Sequence, residues 1–495
     1  MMFLAGLDIG TTGCKLSVFQ IDGQLLGSVY RDYPVQRSRS AHEVDAAAIW
    51  TAVEELIAQG AKEYPGIAGI GVTSFGESFV LLDEQDEPLL PVMLYTDPRG
   101  EEQASRLVEL VGKETIVAVT GLNPHSMYSL PKIMWVKETL PDVYARVKRI
   151  MLMEDYVVYK LTGKAQIDYS LATRTMAFDI QNLCWSNTVC DAAGIDPNLF
   201  SRLVPTGTSA GQVKKALTEA LDLWEGTIVI SVSHDQVAAA IGSGVFDENR
   251  AVDGAGTVQC TTPVFHSYDP AKMAENNYCI VPFIKEGSYV TYAFSYTGGA
   301  LVKWFVDNLA GDAKQDAKAR GVSVYDELED CGQEGPTGIL VLPHFAGAAT
   351  PAMDAGSKGA IVGLTLSHTQ KDLYRAIMEG VCYEMRLNQE LLSGCGVAVA
   401  PLHATGGGAK SRVWMQMKAD VLNVPVTALT TAEAGATGSA MLVGVALGLY
   451  PSLEAAAEKM VKVREVFQPR TQIHEQYEAV YQRYKKLYEA VRPLV

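Results

Sequence analysis

The sequence predicts an α/β protein built from two similar halves. Apolar, strand-like segments alternate with amphipathic helical segments, which is typical of α/β folds. The motif Gly-Thr-x-x-Cys-x-x-x-Val-Phe at 10–19 returns with identical spacing at 256–265, which indicates an internal duplication. The chain has 495 residues, 48% of them hydrophobic, and this length suffices for two large domains.

The first half is expected to open with a β-meander. Residues 3–8, 16–21 and 25–31 have strand composition, and Asp22-Gly23 between the last two is a hairpin turn signal. Asp45 then caps a helix whose apolar residues recur at helical spacing, namely Ile49, Val53, Leu56 and Ile57. Later in this half we expect a strand at 67–73 with a polar loop at 74–78, a strand at 228–233, and a helix from Gln236 to Gly242.

The second half is expected to begin after the polar segment 247–253. A strand at 402–405, a glycine loop at 406–408 and helices at 410–422 and 434–449 follow, and one amphipathic surface helix at 473–491 ends the chain. We therefore predict an N-terminal lobe at 1–246, a C-terminal lobe at 247–450 and a helical segment at 451–495 that packs on the lobes.

The charge balance excludes some classes of function. The net charge of −16 argues against a nucleic-acid scaffold or a binder of anionic membranes. It permits phosphorylated substrates, since backbone amides and Mg²⁺ can hold a phosphate. The N-terminus does not resemble a signal peptide, no apolar stretch is long enough to span a bilayer, and the eight cysteines lack metal-site spacing. These features predict a cytoplasmic protein with mostly buried free thiols.

The first candidate site is a glycine-containing turn near the N-terminus. Glycine lets backbone amides approach an anion, Thr11 and Thr12 add hydroxyl donors, and Lys15 adds a cation. Asp8, at the end of the preceding strand, could hold a hydrated Mg²⁺. The alternative interpretation is an ordinary hairpin turn.

The second candidate is Asp235, at the junction of a β-branched strand and a helix. A strand end holds a general base at a fixed point beside a substrate hydroxyl. The alternative is that Asp235 only caps the helix. The neighbouring His234 is expected to be a bystander, because adjacent strand side chains point to opposite faces.

Two further segments could contact ligands. The turn at 406–411 does not fit a P-loop, because two of the glycines required by that motif are missing. Its three glycines could still admit a flat ring or a phosphate. The alternative is a tight turn that serves packing alone. Glu77 in the loop 74–78 could accept hydrogen bonds from substrate hydroxyls, or it could be a solvated acid.

Together these motifs resemble the FGGY carbohydrate kinases, which share a superfamily with actin and heat-shock chaperone ATPases. The family's C-terminal signature is matched by Gly359, Ile361, Gly363, Leu364, Asp372, Leu373, Ala376, Ile377, Met378 and Glu379. Its other signature is partly matched by Met127, Ser129, Lys132, Ile133, Trp135 and Val136. The resemblance implies an α/β fold of two actin-like (ribonuclease H-like) domains with a central cleft, and a homodimer. It also implies that the N-terminal lobe at 1–246 binds the sugar and that the C-terminal lobe at 247–450 binds the nucleotide.

The resemblance also implies the roles of individual residues. ATP is implied as cofactor together with Mg²⁺, which Asp8 would position. Phosphate and nucleotide contacts are implied for Thr11, Thr12, Lys15, Gly256, Thr257, Gly299, Lys303, Gly407 and Ser411. Asp235 corresponds to the catalytic base, Gln236 lies beside it, and Glu77 corresponds to a polyol-contacting acid, with Phe75 and Asp97 as further substrate candidates.

Departures from the family pattern bear on the substrate. Glycerol kinases have Arg where this chain has Gly76, which we expect to leave room for a substrate larger than glycerol. Met127 stands where they have a substrate-contacting Tyr. The sequence thus predicts ATP-dependent phosphorylation of a small sugar or polyol, with a ketopentose such as xylulose favoured. The alternatives are a sugar sensor that has lost turnover and a chaperone-like ATPase.

Overall fold

The computed structural model describes residues 2–330, 332, 334–399, 401–431 and 433–495. They form two compact units. Unit 1 contains the described residues of 1–246, 279–290 and 433–461, and unit 2 contains those of 247–278, 291–432 and 462–495. The first segment of unit 1 ends at the predicted division of the chain, but residues 433–461 cluster with unit 1, whereas the sequence analysis grouped them with C-terminal segments.

The β-strands are numbered in chain order. They are β1 (Phe3–Ile9), β2 (Gly13–Gln20), β3 (Leu25–Asp32), β4 (Val35–Arg37), β5 (His42–Val44), β6 (Ile67–Ser74), β7 (Phe79–Leu82), β8 (Val92–Met93), β9 (Arg149–Leu152), β10 (Gln166–Asp168), β11 (Phe178–Asp179), β12 (Cys184–Trp185), β13 (Arg202–Val204), β14 (Thr208–Gln212), β15 (Ile228–His234), β16 (Ala251–Ala255), β17 (Gln259–Phe265), β18 (Val281–Pro282), β19 (Tyr289–Val290), β20 (Ala293–Ser295), β21 (Leu340–Leu342), β22 (Ala360–Val362), β23 (Leu402–Thr405), β24 (Val426–Leu429) and β25 (Val463–Phe467).

The α-helices are numbered in the same way. They are α1 (Ala46–Glu63), α2 (Glu101–Val111), α3 (Lys113–Thr120), α4 (Ser129–Thr139), α5 (Pro141–Tyr144), α6 (Met153–Thr162), α7 (Tyr169–Thr173), α8 (Asn187–Ala193), α9 (Lys215–Ala220), α10 (Asp235–Gly242), α11 (Pro270–Glu275), α12 (Gly299–Leu309), α13 (Gly311–Arg320), α14 (Val324–Glu329), α15 (Gln370–Gly394), α16 (Arg412–Leu422), α17 (Ala434–Ala446), α18 (Leu453–Met460), α19 (Thr471–Tyr484) and α20 (Leu487–Val491).

Unit 1 is built on a mixed sheet with the strand order β14-β15-β6-β1-β2-β3. The strands β1 and β2 form an antiparallel hairpin, while β1, β6 and β15 run parallel. Ser74 at the end of β6 is in register with both Ile9 of β1 and His234 of β15. The carboxyl ends of three neighbouring strands therefore meet at one edge, which is where parallel α/β sheets commonly bind ligands.

Helices cover the sheet of unit 1. The predicted cap forms, since Asp45 accepts a hydrogen bond from the Ala47 amide, and the four predicted apolar residues of α1 are fully buried. Helix α17 packs on β1 and β6 and against α10. This packing requires glycine, because a side chain at Gly6 of β1 would collide with the backbone of Ala436.

Unit 2 repeats the opening of unit 1. Its central strands are ordered β17-β16-β23-β24-β25, and β20 also pairs with β17. The strands β16 and β17 form an antiparallel hairpin, and β23 lies parallel to β16, as β6 lies parallel to β1. The repeated Gly-Thr pairs at 10–11 and 256–257 both fall in the hairpin turns. The duplication predicted from the motif is thus also visible in the fold.

The C-terminal helix differs from the prediction. One helix was expected over 473–491, but it is divided into α19 and α20 around Lys485 and Lys486. The Lys486 amide donates to the carbonyl of Arg483, three residues back, so the chain tightens at this point. Among the described residues, we find no helix that is long and apolar enough to cross a membrane. The described cysteines are free thiols, and Cys331 lies outside the described residues.

Candidate active site

The turn between β1 and β2 places the predicted phosphate-binding residues side by side in unit 1. Asp8 and Lys15 are directly opposite each other in the hairpin, with half-buried Thr11 and exposed Thr12 in the turn between them. Lys15 Nζ binds both carboxylate oxygens of Glu433, at 3.0 and 2.9 Å. Since Glu433 stands at the N-cap position of α17, this ion pair attaches the turn to the start of that helix.

The Asp8 carboxyl suits a hydrated metal ion. Burial raises its pKa to about 6, although Lys15 opposes the shift and Glu433 adds to it. A Cβ atom placed on Gly435 would lie 3.6 Å from Asp8 Oδ2, so the glycine leaves space beside this oxygen. Mg²⁺ usually keeps several waters and takes one or two carboxylates together with substrate phosphates. The described residues contain no cluster of three or more metal-ligating side chains, and the single carboxylate of Asp8 fits that chemistry.

Asp235 is the first residue of α10, and His234 occupies the N-cap position without a side-chain cap bond. Asp235 therefore does not occupy the N-cap position that the alternative interpretation gave it. Its side chain is 34% exposed, while its Oδ1 atom is shielded from solvent. Desolvation first, and then the negative charges of Asp8 and Glu77, raise the pKa of Asp235 to about 7, although hydrogen bonds from Gln236 oppose the shift.

The expectation that His234 faces away from Asp235 is also wrong. The Nε2 atom of His234 lies 3.3 Å from Oδ1 of Asp235. Strand alternation does not apply to this pair, because the strand ends at His234 and the helix begins at Asp235. Half-buried Gln236 follows on the same helix, as predicted from the sequence.

Glu77 lies in a buried ion pair that the sequence analysis missed. Its backbone is left-handed, with φ of 65°, and its Oε1 accepts a hydrogen bond of 2.6 Å from Nε of Arg174. Arg174 also lies over the ring of Tyr128, at 5.2 Å from its centre. Glu77 is therefore neither a solvated acid nor a carboxylate without a partner, and any substrate contact would be made by the Glu77–Arg174 pair.

The space beside Gly76 is filled by protein. A Cβ atom at Gly76 would lie 2.8 Å from Cγ of Arg174 and 3.2 Å from Cδ2 of His234. The expectation that Gly76 leaves room for a larger substrate is consequently wrong. The side chain of Arg174 reaches this loop from the end of α7, whereas the resemblance to glycerol kinases implied an arginine in the loop itself.

The other substrate candidates have structural partners. Phe75 is 5% exposed and belongs to the hydrophobic core of unit 1. Asp97 accepts hydrogen bonds from Nε of Arg99 at 2.8 Å and from the His42 amide at 2.8 Å. Burial opposes the effect of these bonds, but they hold the pKa of Asp97 below its ordinary value.

Lys132, one of the residues that match the second family signature, supports the turn that contains Met127. Burial lowers the pKa of Lys132 to about 8, and its Nζ donates to the Met127 carbonyl at 3.1 Å.

Unit 2 contains a cavity of about 1300 Å³. Its lining includes all six nucleotide candidates of this unit, namely Gly256, Thr257, Gly299, Lys303, Gly407 and Ser411. The start of α12 is attached to the hairpin turn, because the Gly299 amide donates to the Gly256 carbonyl at 2.8 Å and the Ala300 amide to the Thr257 carbonyl at 3.1 Å. A Cβ atom at Gly407 would meet no atom within 4 Å, so this turn presents bare backbone to open space.

Two of these residues also have local partners. Lys303 pairs with Asp307 one helical turn away, at 2.6 Å. Ser411 Oγ accepts a hydrogen bond from the Trp414 amide at 3.0 Å and so caps α16.

A buried charge cluster supports this cavity and was not foreseen from the sequence. Lys418 Nζ contacts Asp253 at 2.8 and 2.7 Å and Gln259 Oε1 at 2.9 Å. Both charged side chains are completely buried. The cluster joins α16 to the hairpin of β16 and β17, and therefore connects two walls of the cavity.

Comparison with known proteins identifies one family across the chain. Residues 3–242 match the model of the N-terminal domain of the FGGY family of carbohydrate kinases, and residues 256–447 match that of its C-terminal domain. A xylulose kinase of Bacillus subtilis (strain 168) is 27% identical over 100% of this chain and 98% of its own length. A gluconokinase of the same organism is 27% identical over 92% of this chain and 90% of its own. The fold matches that of a ligand-bound xylulose kinase from Lactobacillus acidophilus, with a TM-score of 0.90, 23% identity and 99% coverage of both chains.

Proposed function

The chain belongs to the FGGY family of carbohydrate kinases and is an ATP-dependent sugar kinase, and we propose that it phosphorylates a ketopentose such as xylulose, with Asp235 as the general base. The observation that carries this proposal is the position and chemistry of Asp235. It stands at the carboxyl edge of the unit 1 sheet, with one shielded oxygen and a pKa of about 7. The similarity to a xylulose kinase over the whole length supports the choice of sugar.

The proposed step at the sugar is removal of a proton. As the substrate oxygen attacks the γ-phosphorus, Asp235 accepts the hydroxyl proton and becomes a neutral acid. A base whose pKa lies close to the operating pH does this most effectively, because it is largely ionised yet still basic enough to take the proton. The pair of Glu77 and Arg174 offers both an acceptor and a donor for the remaining hydroxyls.

The proposed nucleotide site is the cavity of unit 2. Backbone amides of the turns at 256–257 and 407–408 and the start of α12 would contact the nucleotide. In unit 1, Thr11, Thr12 and Lys15 would contact the phosphates, and Asp8 would hold Mg²⁺ through water. Bound Mg²⁺ supplies charge neutralisation on the phosphates in such reactions.

The base is tested by Asp235→Asn, which keeps the shape of the side chain but cannot accept the proton. We expect kcat to fall by about 10²- to 10⁴-fold, the usual contribution of general-base catalysis. Calorimetry should show sugar and nucleotide binding retained. A variant that keeps most of its kcat would remove Asp235 from this role.

The substrate is tested by measuring ADP release over ketopentoses, ketohexoses, tetritols and glycerol. We expect the highest kcat/KM with a ketopentose. A clear preference for glycerol or a tetritol would contradict the choice of sugar and leave the kinase assignment intact. No ADP release with any sugar would favour a sensor.

A further inference from the structure

The residue that precedes the proposed base is fixed on two sides. His234 is 6% exposed, and its backbone amide donates a hydrogen bond to Ser170 Oγ at 3.0 Å. Its ring lies beside Gly76, where an added Cβ atom would be 3.2 Å from Cδ2. Its Nε2 atom lies 3.3 Å from Oδ1 of Asp235. The orientation of this imidazole is therefore set by its surroundings and not by solvent.

The support behind His234 is a buried network on α7. Ser170 donates from Oγ to Asp168 Oδ1 at 3.1 Å. Asp168 caps α7 by accepting from the amides of Ser170 and Leu171, both at 2.9 Å. Thr206 donates from Oγ1 to the second oxygen of Asp168 at 2.8 Å. None of these side chains has a role in the proposed reaction, yet together they connect a buried helix cap to the backbone of His234.

The charge state of His234 suits a contact with a carboxylate. Burial lowers the pKa of His234 well below its ordinary value, and the nearby guanidinium of Arg174 lowers it further. The ring is therefore neutral and has one N–H group. The shielded Oδ1 of Asp235 accepts no hydrogen bond among the described residues, and Nε2 of His234 at 3.3 Å is close enough to become its donor. A proton on Nε2 gives this oxygen a donor and leaves Oδ2 for the substrate.

We propose that His234 is a positioning residue, whose imidazole donates from Nε2 to Oδ1 of Asp235 and thereby fixes the plane of the carboxyl, so that Oδ2 faces the reacting hydroxyl. This inference rests on the proposed role of Asp235 as the base. Misplacement of a reacting group by about 1 Å can cost about 100-fold in rate. His234 thus acts through Asp235 and contacts neither sugar nor nucleotide.

The test compares two substitutions of similar size at His234. His234→Gln keeps a side-chain N–H group close to the position of Nε2, whereas His234→Leu removes it. Kinetics with saturating ATP and ketopentose should show kcat reduced at least 10-fold in the leucine variant and less than 3-fold in the glutamine variant. The sugar Kd by calorimetry and the KM for ATP should change less than 2-fold in both.

A third variant keeps the inference testable if the substitutions at His234 prevent folding. Ser170→Ala removes the acceptor for the His234 amide and leaves the imidazole in place. We expect a smaller loss of kcat, about 3-fold, with both binding constants unchanged and with an unchanged circular dichroism spectrum. Thermal melts of all three variants identify any that do not fold, and if His234→Leu does not fold, Ser170→Ala and His234→Gln decide.

Three outcomes would overturn the inference. The first is a kcat of His234→Leu equal to that of the parent. The second is an equal decrease of kcat in His234→Leu and His234→Gln. The third applies if the leucine variant does not fold, and is a parental kcat in Ser170→Ala. The variant Asp235→Asn separates this inference from the proposed function. Full activity in Asp235→Asn refutes the base itself, whereas an inactive Asp235→Asn together with a fully active His234→Leu refutes only the positioning role.

Discussion

Glu77 and Arg174 form a buried ion pair, in which each side chain is only 6% exposed. A substitution of one therefore also affects the other. Glu77→Gln would leave the guanidinium buried without its carboxylate. Removing one partner of a buried ion pair commonly costs about 3–5 kcal/mol. We therefore expect the free energy of unfolding, measured by urea titration, to fall by about this amount, and the sugar KM to rise by tens-fold.

The matched control for this prediction removes both charges. Glu77→Gln combined with Arg174→Met should destabilise the protein by less than the sum of the single variants, because neither charge is then left alone. Strict additivity would show that the two side chains do not depend on each other. An unchanged sugar KM in every variant would place the pair outside the substrate site.

The pKa of Asp235 leads to a prediction about pH. Desolvation and the charges of Asp8 and Glu77 raise it from 3.8 to about 7, so the folded protein holds a proton that the unfolded chain has released. This contribution to stability is present at low pH and is lost as the pH rises through about 7. Asp235→Asn removes the ionisation, so its Tm relative to the parent should increase between about pH 4 and pH 7 and then level off.

The same ionisation should increase catalytic activity as the pH rises, although it decreases stability. Since only the ionised carboxylate accepts a proton, kcat/KM of the parent should rise with pH along a limb with an apparent pKa near 7. A flat kcat/KM profile between pH 5 and pH 8, or a Tm difference independent of pH, would contradict the assigned shift.

At the scale of elements, the turn after β23 bears on nucleotide binding. A side chain at Gly407 would extend into the open space of the cavity. Gly407→Val should therefore raise the KM for ATP, by about 10-fold or more if a backbone hydrogen bond to the nucleotide is also lost, while kcat and the sugar KM stay near parental values.

Gly311→Val is the control for this substitution. An added Cβ atom at Gly311 also meets nothing within 4 Å, but this residue begins α13 and does not line the cavity. Its ATP KM should remain parental. Equal ATP KM values in both variants would place the nucleotide elsewhere.

The elements that the sequence predicted well are those with a strong local pattern. The strand 402–405 was predicted with its observed bounds, and β1, β6 and β15 each extend one residue beyond their predicted ends. In contrast, α7 has only five residues, too few for a helical period to be visible. Its cap residue Asp168 and the Tyr-Ser pair after it were the available local signal.

Contacts between distant residues account for most of what the sequence could not supply. Arg174 and Glu77 are 97 positions apart, and Lys15 and Glu433 are 418 positions apart. No local pattern indicates that such residues meet. The site residues themselves could be named because glycine-rich turns and strand ends have recognisable sequences, whereas the partners that hold them could not.

At the scale of the molecule, charge distribution separates two kinds of sugar substrate. The net charge is −16, and the carboxylates of Asp8 and Glu77 both raise the pKa of Asp235, the proposed base. Two cations near these carboxylates already pair with acids, since Lys15 binds Glu433 and Arg174 binds Glu77. We therefore expect a sugar acid to bind against a net negative field, which a neutral ketose does not experience.

Because the similar proteins include both a xylulose kinase and a gluconokinase, the two kinds of sugar can be compared directly. With saturating Mg²⁺ and ATP, kcat/KM for gluconate should be at least about 100-fold lower than for the best ketopentose, about 3 kcal/mol of discrimination. Raising the ionic strength screens the field, so the gluconate value should increase with salt while the ketopentose value stays constant. Equal kcat/KM values for the two sugars, or a gluconate value that falls with salt, would mean that a cation in the site is available to bind a carboxylate. In that case Arg174 would be the residue to replace, because its buried side chain lies beside Gly76 together with the ring of His234, the neighbour of the proposed base.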